Sequence, residues 1–285
     1  MQYRDIIYQV DDPVAVIKFN RPEALNAFTG RMLAEIRHAL AAAETDEHVV
    51  GIVLTGEGRG FCPGMDMNAL DAISDGETGS NDDLADLKAQ PGDPELGDNF
   101  QVTYSYLMSI RKPVIAAING AAVGVGMTYP MLCDIRLASE GAKMGFVFTR
   151  RGMMPELAAH LIVQRVAGLS NAADILLSGR IFTSEEALEM GIVSKVFPKD
   201  QLLDAAHEMA KDYANTAPAS VAITKHLLWQ GLDSSPKKMM EAEGPSFAWL
   251  GNQPDAKEGI MSFLEKRAPA WELSAQDVPD EFKNG

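Results

Sequence analysis

The sequence predicts an α/β fold whose last third is helical. Two observations carry this. Short apolar runs suited to strands alternate with helical periodicity over the first two-thirds, in strand–strand–helix units. From about Pro155 the pattern becomes mostly helical. No stretch reads as a linker between independent domains, so the simplest division is a core over 1–200 and a helical region over 201–285.

The elements follow in order. "DIIYQVDDPVAVIKFNRP" reads as two strands around the Asp11-Asp12-Pro13 turn. Thr29 is a good N-cap for the helix "GRMLAEIRHALAAAE", where Met32, Ile36 and Leu40 share one face at four-residue spacing. "VVGIVLTG" is continuously apolar, as a strand buried on both faces should be. Residues 70–99 are rich in Asp, Glu, Gly and Pro with Lys88 the only base, and read as a mobile, solvated excursion or lid. Then come a helix at "FQVTYSYLMSIR", a buried strand at "KPVIAAING" and two strands in "CDIRLASEGAKMGFVF". Helices are predicted over 156–167, 170–178, 184–190, 200–216, 219–231, 236–250 and 255–267, with a strand at "IVSKVF". Ser184 with Glu186, and Asp200, read as helix starts.

Composition narrows the partners. A net charge of −15 over 285 residues repels nucleic acid and anionic membranes, so an anionic ligand needs local donors. Cys62 and Cys133 are too few for a disulfide framework and fit a reducing compartment. The first residues lack the pattern of a secretory leader, and no run reaches the ~18 apolar residues of a membrane span. A cytoplasmic protein is expected.

Two glycine-centred turns follow apolar strands: "GFCPGMDM" and "NGAAVGVGMTYP". Each sets a glycine before a predicted helix start, where backbone N–H groups are unpaired. Two such starts facing one point make a donor pair for an oxyanion. Such turns are also ordinary in α/β proteins. The full G-x-G-x-x-G is absent, which excludes a dinucleotide site.

"VIKFNRPEALNAFT", "GRGFCPGMDM", "KPVIAAINGAAVGVGM", "CDIRLAS" and "FLEKRAPAW" occur in the order and spacing of one family. From about Asp5 to Trp271 the chain resembles the crotonase (enoyl-CoA hydratase/isomerase) superfamily. The resemblance implies a crotonase-like spiral of β-β-α units with a helical C-terminal region, assembled as a trimer or a hexamer of paired trimers. It implies an acyl-CoA thioester substrate, with coenzyme A only as part of that substrate and no separate cofactor or metal. By position, Met65 after Gly64 and Val125 after Gly124 supply the oxyanion N–H groups. Ala24, Leu25, Pro63, Asp66 and Met67 lie where the family binds coenzyme A. Phe263 and Lys266 match its nucleotide contacts from a neighbouring subunit. Read alone, Lys266 is a solvated lysine and Phe263 a core residue.

Hydratases of the family carry two glutamates around the acyl group. Their positions fall here on Thr128 and Phe148, neither of which can activate water. Isomerase-like branches use one acid in "G-x-x-P-E", matched by Gly152 to Glu156. Glu156 is therefore the expected proton carrier, although an acid in a helix's first turn needs no catalytic reason. Phe146, Phe148 and Met153 would supply it with an apolar pocket, and methionines over 126–154 would fill in around the acyl group. His160, one helical turn on, is a candidate assistant or a packed helix residue; Arg150 and Arg151 are phosphate contacts or a structural pair. His38, His48, His207 and His226 lack metal-ligand spacing. Double-bond isomerisation is expected, with hydration, thioester hydrolysis and non-catalytic acyl-CoA binding as alternatives.

Overall fold

The computed structural model describes residues 2–67, 81–92, 104–279 and 282, with the backbone alone over 81–83. Strands β1 (Ile6–Asp11) and β2 (Val14–Phe19) form an antiparallel hairpin. β2 then pairs in parallel with β3 (Gly51–Gly56), which continues through β5 (Val114–Ile118) and β7 (Ile135–Ser139) to β10 (Lys195–Phe197). A second sheet runs in the order β4 (Gly60–Cys62), β6 (Ala121–Val123), β8 (Lys143–Gly145), β9 (Ile181–Thr183). Three times in succession the chain lays one strand in the large sheet and the next in the small one: β3 to β4, β5 to β6, β7 to β8. That repetition is the β-β-α spiral.

Side-chain alternation explains the continuous apolar runs. Ala15, Ile17, Ile52, Leu54, Ala116 and Ile118 face one way, toward Met32, Ile36 and Leu40 of α1 (Gly30–Thr45). Their neighbours Val14, Val16, Val53, Ile115, Ala117 and Leu137 face the other way, toward Leu202, Ala206 and Ala210 of α6 (Leu202–Lys211). Both faces of the parallel sheet are thus covered, as burial of its backbone requires. A third, smaller cluster joins Ala219, Ala222 and Ile223 of α7 (Pro218–Gln230) to Ala275 and Val278.

Several boundaries differ from expectation, each for a local reason. β4, β6 and β9 are three residues long and sit among glycines or beside turns, too short for a period to register. The predicted helix over 100–111 shrinks to α2 (Tyr106–Ser109), preceded by Tyr104 at φ 68°; residues 100–103 lie outside the described ones. Of the acidic excursion, Asn81–Leu87 forms a 3-10 helix that buries Leu87, and Gly92 N–H donates to Glu44 Oε2 at 2.6 Å. That part is pinned at Leu87 and Gly92 while Ala85, Asp86, Lys88 and Gln90 stay exposed; residues 70–80 and 93–99 lie outside the described ones. After the single turn α3 (Val125–Thr128), the helices expected at 156–167 and 170–178 are one element, α4 (Ala159–Ser178), broken at Gly168 (φ 77°, ψ 158°). It starts three residues later than predicted because Leu157 and Ala158 are left-handed.

The cap of α5 (Ser184–Glu189) is Thr183, not Ser184, in a reciprocal box with Glu186. α6 stops at Lys211 and continues as a 3-10 turn. α7, α8 (Pro236–Gly251) and α9 (Pro254–Glu265) each open on proline, whose missing N–H costs nothing in a first turn. Among the described residues no helix is long and apolar enough to cross a membrane.

Candidate active site

The site is built where β4 and β6 end side by side. Beyond β4, Gly64 takes φ 116°, which a side chain would resist. Phe28 N–H donates to Gly64 O and Asp66 N–H donates to Phe28 O, both at 2.9 Å, so Met65 lies opposite Phe28 in a parallel bridge. Successive N–H groups of extended chain point to opposite sides. Since that of Asp66 turns toward Phe28, that of Met65 turns away from it.

Beyond β6, Gly124 (φ 60°, ψ −129°) donates its N–H to Gly145 O at 2.9 Å and caps α3. Val125 is the first residue of α3. Among the described residues, neither the Met65 nor the Val125 N–H donates to a backbone or side-chain acceptor. The two loops are in close contact: a Cβ on Gly126 would fall 2.1 Å from Cys62 O, and one on Gly64 3.3 Å from Val123 O. α3 is four residues long, so its dipole is small and its free N–H groups carry the chemistry.

A third segment, residues 21–27, is fastened to the β4 loop. Arg21 reaches Ala27 O (2.7 Å) and the Asp66 carboxylate (2.9 Å). Fully buried Asn26 donates to Glu57 O (3.0 Å) and Gly60 O (2.8 Å) and accepts from Arg21 N–H (2.9 Å). Leu25 and Asn26 both have left-handed φ, a conformation asparagine tolerates. Ala24, Leu25 and Pro63 are half-buried along this seam and Met67 is exposed. One oxygen of the Asp66 carboxylate is engaged by Arg21, which ties the two loops together.

Thr128 does not line the cleft. It is fully buried and its hydroxyl donates to Val125 O at 3.3 Å, within its own turn. Phe148 is half-buried against the main core. Of the residues expected to give Glu156 an apolar pocket, Phe146 lies inside the core and Met153 faces solvent. Phe146 stacks on Phe182 at 6.1 Å, while Met153 and Met154 are exposed. Met127, Met131 and Met144 are core residues.

Glu156 is exposed and precedes α4 rather than belonging to its first turn. His160, also exposed, is therefore not one helical turn from it on a shared face. Burial first, and the Glu156 carboxylate second, push the Tyr104 hydroxyl above its ordinary range, so it stays a neutral donor. Tyr104 packs edge-on to Tyr129 (5.9 Å), and Tyr129 on Phe28 (5.3 Å), whose backbone flanks Met65. An aromatic wall thus runs from Tyr104 to the paired loops.

Arg150 donates to Ser178 O at 2.9 Å, a structural contact. Phe263 is 81% exposed, not a core residue, and Lys266 closes α9 in left-handed conformation. Among the described residues no hydrogen bond or ion pair joins α9 to the loops at Leu25 or Met65, and no acid–His–Cys group could hold a metal. Sequence reading missed Arg21, Asn26 and Tyr104. Asn26, an asparagine just past "PEAL", carried a left-handed turn signal; Tyr104 carried none.

Fold and loop arrangement together define a crotonase-type protein. The chain belongs to the enoyl-CoA hydratase/isomerase family, whose model matches residues 9–274. It is 32% identical over 265 residues to the 2,3-dehydroadipyl-CoA hydratase of Escherichia coli, covering 93% of this chain and 97% of that one. It is 30% identical over 268 residues to the 1,2-epoxyphenylacetyl-CoA isomerase of the same organism, covering 93% and 97%. A crystal structure of a probable enoyl-CoA hydratase/isomerase from Mycobacterium abscessus superposes with a TM-score of 0.79 at 30% identity, covering 94% and 98%.

Proposed function

We propose that this acyl-CoA enzyme shifts a double bond, converting 3-enoyl-CoA to 2-enoyl-CoA with Glu156 as the proton carrier. The Met65 and Val125 N–H groups would hold the thioester oxygen and stabilise the enolate formed when a proton leaves C2. Glu156 takes that proton and returns one to C4, so the double bond moves and nothing is added. This chemistry calls for no group beyond the coenzyme A of the substrate. The observation that carries the reading is the distribution of acids. Buried, self-bonded Thr128 and apolar Phe148 stand where the resemblance expects two water-handling carboxylates, while Glu156 stands exposed ahead of α4 and its charge helps raise the pKa of Tyr104 on the wall leading to the loops.

Coenzyme A would lie along Ala24, Leu25, Pro63, Gly64 and Met67, with Phe263 and Lys266 supplied by a neighbouring subunit of a homotrimer or hexamer. The exposure of Phe263 supports this. Two free, buried thiols go with a reducing, cytoplasmic setting. Hydration is the second reading, favoured by the names of several relatives.

Glu156→Gln preserves shape and removes the base. It should lower kcat for 3-enoyl-CoA by roughly 100-fold or more while acyl-CoA binding survives. Full activity in that variant would remove Glu156 from the mechanism.

A further inference from the structure

A cavity of about 750 Å³ opens beside Tyr104, between α1, α2 and the 3-10 segment before Lys88. Leu33, Leu87 and Tyr106 make much of its wall, as an acyl chain would require. Its charges run the other way. The described lining carries two cations, Arg37 and Lys88, and no carboxylate, in a chain whose net charge is −15. Arg37 stands on α1 with its guanidinium over the Tyr106 ring, 5.3 Å from the centroid. Its Nε is buried and, among the described residues, has no hydrogen-bond partner. The Tyr106 hydroxyl pairs instead with that of Tyr129 (3.1 Å).

A guanidinium half-withdrawn from water, with one face on an aromatic ring and, among the described residues, no acid to meet it, is costly unless a ligand completes it. The group that fits its planar fork is a carboxylate, accepted through two parallel N–H···O bonds. Tyr104 ties this cavity to the paired loops, because it lines the wall and packs edge-on to Tyr129, which in turn packs on Phe28 beside Met65.

We infer that the cavity receives the far end of the acyl group and that Arg37, aided by Lys88 at the rim, selects acyl-CoA thioesters ending in a carboxylate. The inference rests on the acyl-CoA reading above but not on which reaction follows. Leu33 and Leu87 hold the methylenes, and the terminal carboxylate replaces the water that otherwise solvates the guanidinium.

Binding tests this independently of turnover. Calorimetric titration of the intact protein with succinyl-, glutaryl- and adipyl-CoA is compared with butyryl-, valeryl- and hexanoyl-CoA, at low and high salt. At one or more of the three lengths the carboxylated thioester should bind at least tenfold more tightly, with the advantage shrinking as salt rises. In Arg37→Met, which keeps a long apolar stem, that ratio should fall toward one; in Arg37→Lys part of it should survive. Circular dichroism of each variant confirms the fold. Equal affinity for both series at all three lengths, or an unchanged ratio in folded Arg37→Met, overturns the proposal. Discriminating binding without any turnover would instead remove the proposed reaction and leave this subsite standing.

Discussion

Asn26 engages three backbone groups with one amide, and it does so from a left-handed backbone with no exposure to solvent. Asn26→Ala strands those groups in the interior and forces alanine into an unfavourable φ. A loss of about 2–3 kcal/mol in urea unfolding is expected, since each buried unpaired group costs about 1–3 kcal/mol. A loss below 0.5 kcal/mol would mean that the loop relaxes and that Asn26 is not its fastener. At this scale the sequence was readable where chemistry is tied to a motif. Gly64 and Gly124 stand out as glycines before predicted helix starts, and the structure shows why glycine is needed at both; Glu156 is singled out only by the resemblance. Arg21 and Tyr104 were not legible, because their partners, Asp66 and Glu156, lie 45 and 52 residues away in sequence. No local period records such a meeting.

The paired loops depend on two short strands. β4 and β6 are three residues each, and their parallel pairing sets the loop after Cys62 against the turn that begins at Gly124. Since the proposed donor at Val125 is a backbone N–H, Val125→Ala should be mild and Val125→Pro should cost about 3 kcal/mol of transition-state stabilisation. Steady-state kinetics measures this, with circular dichroism to establish that the proline variant folds. Unchanged turnover in folded Val125→Pro would take the residue out of the mechanism. The long elements were legible because a buried parallel sheet writes continuous apolar runs and α1 writes a four-residue stripe. The start of α4 was not. Proline before glutamate signals a first turn, yet the left-handed pair Leu157 and Ala158 delays the helix to Ala159. Glu156 thereby stands free of the helix rather than along its first turn.

For the whole molecule, a net charge of −15 makes coenzyme A a ligand that local donors must hold against the overall field. The resemblance of nearly the entire chain to one family made the fold legible, and the spiral of strand pairs matches it. The trimer or hexamer is only what the resemblance implies, and exposed apolar side chains such as Phe247 and Phe263 are the features of the single chain that go with it. If a neighbour's α9 completes each site, light scattering should give a trimer or a multiple of it. Lys266→Ala should then weaken coenzyme A binding, more at low salt, with kcat at saturation little changed. A fully active monomer would contradict that arrangement. The central claim is that one carboxylate moves a proton and no water is added. Mass spectrometry of the products of 3-hexenoyl-CoA and 2-hexenoyl-CoA in ¹⁸O-labelled water tests it most directly. The account predicts that 3-hexenoyl-CoA becomes its 2-enoyl isomer at unchanged mass, at least tenfold faster than 2-hexenoyl-CoA gains labelled water, and that Glu156→Gln suppresses this isomerisation. Rapid uptake of labelled water by 2-hexenoyl-CoA, undiminished in Glu156→Gln, would contradict it.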